Sequence, residues 1–68
     1  GPESYPEEGD TVDHFAFGRC TVVFSDGERI RLQQERDGRI REVALSMLRI
    51  GAPVLDAGRR HWVLARKN

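Results

Sequence analysis

Cysteine occurs once in the 68-residue chain, at Cys20, so no disulfide can close within it. That pattern fits a reducing, cytoplasmic setting. Tryptophan, tyrosine and methionine also occur once each. No apolar run approaches the roughly 20 residues that a membrane-spanning helix needs. The N-terminus is acidic and polar rather than basic and apolar, so no secretory leader is expected. Lysine is nearly missing too: ten of the eleven bases are arginine. A chain this short holds one domain, which buries only about 60% of the surface its unfolded form exposes. An enzyme with its own substrate cleft usually needs more chain.

What is present is charge, unevenly spread. The formal net charge is zero. Seven acids and a single base lie in residues 1–28, and the other ten bases lie beyond. Arginine's planar fork suits carboxylate and phosphate partners. Residues 1–8, "GPESYPEE", are rich in proline and glutamate and read as a disordered lead-in, with Tyr5 able to pack back. Gly1-Pro2 looks like a protease scar and is set aside, which suggests a piece of a longer protein.

From Gly9 onward the chain runs in short alternating segments. Thr11 to His14 is a first strand, and "FAFG" turns at Gly18. "RCTVVFS" (Arg19–Ser25) is β-branched and aromatic, with Cys20, Val22 and Phe24 expected on one face. Asp26-Gly27 and Asp37-Gly38 are hairpin turns. Between them Ile30 and Leu32 alternate with outward Arg29, Arg31 and Gln33. "IREVAL" returns as a strand with Val43 and Leu45 inward, and Ile40 breaks that parity. "SMLRIG" reads as one helical turn and a short strand, although "EVALSMLRI" also suits a short helix. A final hairpin turns at Asp56–Gly58, and Trp62 and Leu64 share a face of its last strand. Short strands with single apolar faces must curl to bury enough surface. The expected fold is all-β: a small barrel of five to six strands over 9–50, with an extra C-terminal hairpin over 51–68.

The segment Gly9-Asp10-x-Val12-x-His14-x-x-Phe17-Gly18-x-x-x-Val22 resembles the opening of the Tudor-like, SH3-like barrel at the C-terminus of UvrD/PcrA-type helicases. "DGRIREVALSML" is similar to the segment closing that barrel. The likeness covers about residues 9–50 and extends to CarD-type barrels. Cys20 stands where the pattern has a second glycine, and residues 51–68 have no counterpart. The resemblance implies a helicase-associated or transcription and DNA-repair setting in bacteria, with RNA polymerase as the docking partner. In physical terms the motif is architectural. Asp10 is placed to bond a nearby backbone N–H, Phe17 plugs one barrel end, and Gly18 permits positive φ.

Little in the chain points to chemistry. His14, Cys20 and His61 lack the short-spaced pairs of a zinc site, and the Cys20–His14 pair is a weak nucleophile candidate because parity buries the thiol. The acids form no acid/base pair, and no glycine-rich phosphate loop is present. No catalytic residue, cofactor or metal is therefore expected. Phe17, Phe24 and Trp62 are assigned to the core rather than to a methyl-lysine cage. Phe15 is left in a loop, free to anchor a partner. Arg29, Arg31, Arg39 and Arg41 are expected to form one patch across paired strands, partly offset by Glu28, Glu35 and Glu42. The expectation is a non-catalytic, monomeric protein-interaction module, with Phe15 and these four arginines as its partner-binding residues. The alternative is a nucleic-acid-binding barrel using the arginine-rich face.

Overall fold

Seven strands fill the chain in the computed structural model, which describes residues 4–67. They are β1 (Thr11–His14), β2 (Gly18–Ser25), β3 (Arg29–Gln34), β4 (Ile40–Ala44), β5 (Leu48–Ile50), β6 (Val54–Asp56) and β7 (Arg59–Arg66). A single 3₁₀ turn, Leu45–Met47, links β4 to β5. The sheet runs β4-β3-β2-β1-β7-β5, and β6 pairs with β7 beside β5. This is an all-β, curled sheet of the kind that forms small SH3-like barrels. No helix is long and apolar enough to cross a membrane among the described residues.

The turns follow their residue types. Asp26 accepts from the backbone N–H groups of Glu28 and Arg29, at 2.9 and 2.8 Å. These bonds hold its carboxyl below the usual carboxylate range. Gly18 sits at φ 73°, a left-handed conformation that L side chains pay to enter. Alternation then sorts the core. Val12, Cys20, Val22, Ile30, Leu32, Trp62 and Leu64 are buried, joined by Leu45 from the linking turn and Leu48 from β5.

The C-terminal hairpin is present and does more than pack on the rest. Its strand β7 lies parallel to β1, with Val12 opposite Trp62 and His14 opposite Leu64. On its other edge β7 receives first β6 and then β5. Without it the two halves of the sheet share no ladder.

Three expectations need correction. Phe24 is not core. The β2–β3 register shifts between Val22 and Phe24, because a bulge at Val23 inserts an extra residue. Phe24 is thereby turned outward, 36% exposed, beneath the Arg31 guanidinium at 4.7 Å. Nor are residues 4–8 a loose lead-in: Pro6 is fully buried and Tyr5 packs on the core. Residues 1–3 of that expected lead-in, with the Gly1-Pro2 scar, lie outside the described residues. Leu45 is inward as expected, but in the 3₁₀ turn rather than in β4.

Candidate functional site

His14 builds the most distinctive corner of the molecule. It ends β1 with its ring under the β1–β2 turn. Its Nδ1 accepts from the backbone N–H of Ala16 at 3.0 Å and of Phe17 at 3.2 Å. A ring nitrogen accepting two bonds carries no proton, so the neutral imidazole is protonated on Nε2. The ring stacks on Phe15 (centroids 4.5 Å apart) and on Phe17 (4.3 Å). The three rings make a closed sandwich, whereas a cage for a quaternary cation needs its ring faces open.

Burial pushes the His14 imidazole below its ordinary value of 6.5. Below about pH 6.5 the unfolded ring takes up a proton before the folded ring does, so stability falls as pH drops through that window. A denaturant midpoint lower at about pH 5 than at about pH 7 is expected, with the difference shrinking in His14→Asn. An Asn side chain can accept from the same turn without titrating. An unchanged pH slope in that variant would assign the effect elsewhere.

The turn displays Phe15. Its backbone N–H donates to the Leu64 carbonyl at 3.0 Å, tying the loop to β7, while its ring is 52% exposed. Beside it opens a groove of about 550 Å³ with walls from Phe15, Phe17, Val43, Met47 and Leu48. Met47, on the 3₁₀ turn, is 69% exposed. Arg66 and Lys67, at the end of β7, form the rim. The Arg66 guanidinium lies 5.6 Å from the Phe15 ring centre, and Arg41 lies 5.4 Å from that of Phe17. A second groove, of about 690 Å³, lies at the N-terminal segment. Tyr5 packs into it against Gly27.

The expected arginine patch is not one surface. Arg29 and Arg31 face outward from β3, and both contact Glu42, at 3.6 and 3.0 Å. Arg41 pairs with Leu32 in the ladder and so projects from the opposite face. There its Nε donates to Gln34 Oε1 at 2.7 Å. Arg39 lies in the β3–β4 turn, its backbone N–H donating to Asp37. Arg31 sits opposite Glu42, one residue on from Arg41, which puts Arg41 across the sheet. Arg19 and Arg60 are likewise paired, with Glu35 and Asp56 and with Glu7 and Asp10.

Three features escaped the sequence reading. Gln34 is fully buried, holding Arg41 on one side and Asp37 on the other; continuing the Ile30–Leu32 parity by one step would have found it. Met47 carried no signal, because a single 3₁₀ turn has no periodicity to read. Thr11, His61 and Asp13 form a hydrogen-bonded row on the outer face. Thr11 Oγ1 lies 2.7 Å from His61 Nδ1, and His61 Nε2 lies 3.0 Å from Asp13 Oδ2. The order of groups resembles a hydrolase relay, but the Thr11 hydroxyl is buried between paired strands. It ties β1 to β7. Cys20 is buried as well, and burial raises its thiol above the ordinary value, which disfavours a nucleophilic thiolate. Among the described residues no three His, Cys, Asp or Glu side chains converge as metal ligands. Compared with known proteins, the chain matches no family model, no curated protein and no solved structure.

Proposed function

We propose that this domain is a non-catalytic protein-interaction module that takes its partner at the Phe15 groove. One observation carries the reading: two large apolar side chains, Phe15 and Met47, stand exposed in the lining of one groove that also reaches the core residue Leu48. Exposing them costs the isolated domain solvation, and an exposed aromatic on a rigid turn is a common interface anchor. Arg29 and Arg31 support the reading less, because Glu42 offsets both.

The likeness of Gly9–Val22 to the helicase-associated barrel makes bacterial RNA polymerase the first partner to test, in a transcription or repair setting. Binding of purified core polymerase to the immobilised domain is expected. Phe15→Ala with Met47→Ala should weaken it by at least about tenfold, since truncating such anchors typically costs more than ~1–2 kcal/mol. Reversing Arg29 and Arg31 to Glu should cost less. Polymerase capture that survives the Phe15/Met47 pair while vanishing on arginine reversal would move the site to the outer face.

Nucleic-acid binding is the second reading. Its support is the exposed Phe24 ring beneath Arg31, with Arg29 beside it. Anisotropy titration with a single-stranded oligonucleotide tests it: affinity that falls steeply with salt and is lost in Phe24→Ala would favour this face.

A further inference from the structure

The groove has a chemical sign as well as a shape. Its lining contains no Asp or Glu, and its rim carries Arg66 and Lys67. Among the described residues neither Arg41 nor Arg66 lies within 4 Å of an acidic oxygen, and each rests over a groove phenylalanine instead. Elsewhere on the molecule Arg39, Arg49 and Arg59 also lack an acidic oxygen within 4 Å among the described residues, whereas Arg29 and Arg31 share Glu42, and Arg19, Arg36 and Arg60 are paired. Lys67 spends one hydrogen bond on the neutral Ser46 carbonyl, at 3.1 Å, and keeps its charge. A guanidinium stacked on a ring still presents its N–H edge to a carboxylate.

His14 adds a fixed polar point. It lines the groove, and its Nδ1 is committed to the turn. Its Nε2 therefore bears the proton and hydrogen bonds to no described residue. Held between two rings, it cannot rotate away. A partner group at this point must be an acceptor.

Resting on the interaction reading above, we infer that the groove takes an acidic peptide segment. A large apolar side chain of that segment seats between Phe15 and Met47. A neighbouring Asp or Glu meets Arg66, and a carbonyl or carboxylate oxygen accepts from His14 Nε2–H. The same charges disfavour a lysine-rich or methyl-lysine segment, for which the unpaired arginines are repulsive. The phosphates of a nucleic acid share the negative charge, but Phe15 and Phe17 each already stack on His14 and lie beneath an arginine guanidinium, which leaves less ring face for stacking bases.

Selection of displayed random peptides on the immobilised full chain tests this. The expected consensus is a bulky aliphatic or aromatic residue flanked by Asp or Glu. A synthetic peptide of that consensus should lose at least about tenfold in affinity to Arg66→Glu. Reversing its acids to Lys should abolish binding. Its addition should also shift the His14 Nε2–H resonance. A consensus that is apolar without acids, or indifferent to Arg66→Glu while sensitive to Phe15→Ala, overturns the acidic assignment and leaves the groove as an interaction site. Selected peptides that ignore both variants, or no selected peptide at all, sink both. A short single-stranded oligonucleotide that displaces the consensus peptide and binds more tightly overturns the peptide class.

Discussion

Trp62→Ala is expected to leave the chain unfolded at 25 °C. Trp62 is 1% exposed at the centre of β7, the strand that joins β1 to β5. Truncating a buried tryptophan costs about 3–5 kcal/mol in lost burial and residual cavity. A single small core rarely supplies more than about 3–5 kcal/mol in total. The loss therefore matches the whole. The expected observation is a flat denaturant profile and loss of strand signal by circular dichroism. Trp62→Phe keeps most of the ring and loses the indole N–H, so it should fold with stability lowered by about 1–3 kcal/mol. A cooperative transition for Trp62→Ala within about 1 kcal/mol of the parent would show that β7 is not the keystone the topology makes it.

Asp10→Ala should cost about 3 kcal/mol, hydrogen bonds to a charged acceptor being worth ~1.5–3 kcal/mol each. The carboxylate is buried just before β1. Its Oδ2 accepts from the Glu7 backbone N–H at 3.0 Å and from the Trp62 indole N–H at 2.9 Å. Arg60 approaches the same oxygen at 3.1 Å. The Arg60 side chain is partly exposed, so its ion pair adds little to that sum. One carboxylate thus holds the entering segment, the core tryptophan and an outer arginine. Removing it orphans a buried indole N–H and releases the residues that seat Pro6. Asp10→Asn should lose less, since its amide oxygen still accepts. The sharper test is the cycle with Trp62→Phe. Once the indole N–H is gone, Asp10→Ala should cost measurably less than in the parent. Additive costs would mean that the Asp10–Trp62 bond contributes nothing of its own.

These two residues mark where the sequence was informative and where it was not. Gly9-Asp10 was legible as a strand-opening motif with a side chain bonded to nearby backbone, and Asp10 accepts from Glu7 as that reading requires. Its partner Trp62 lies 52 residues away, and local pattern carries no information about such a distance. Phe24 shows a different failure. Alternation assigned it inward, and one inserted residue at Val23 reversed it. The stabilising gain of a bulge lies in how the whole sheet curls, so the eight residues of β2 do not reveal it.

Alternation and turn chemistry were enough to determine an all-β chain, its two Asp-Gly hairpins, and a core containing Cys20, Val22, Ile30, Leu32, Trp62 and Leu64. Each of those rests on interactions within a few residues: a two-residue period, a left-handed glycine, an aspartate bonded to the next N–H groups. The candidate site needed the curled sheet. Phe15, Met47 and Arg66 come from a turn, a 3₁₀ link and a strand end that meet only when β7 lies beside β1. The four arginines share a composition but not a face, because register, which long-range pairing sets, decides where each points.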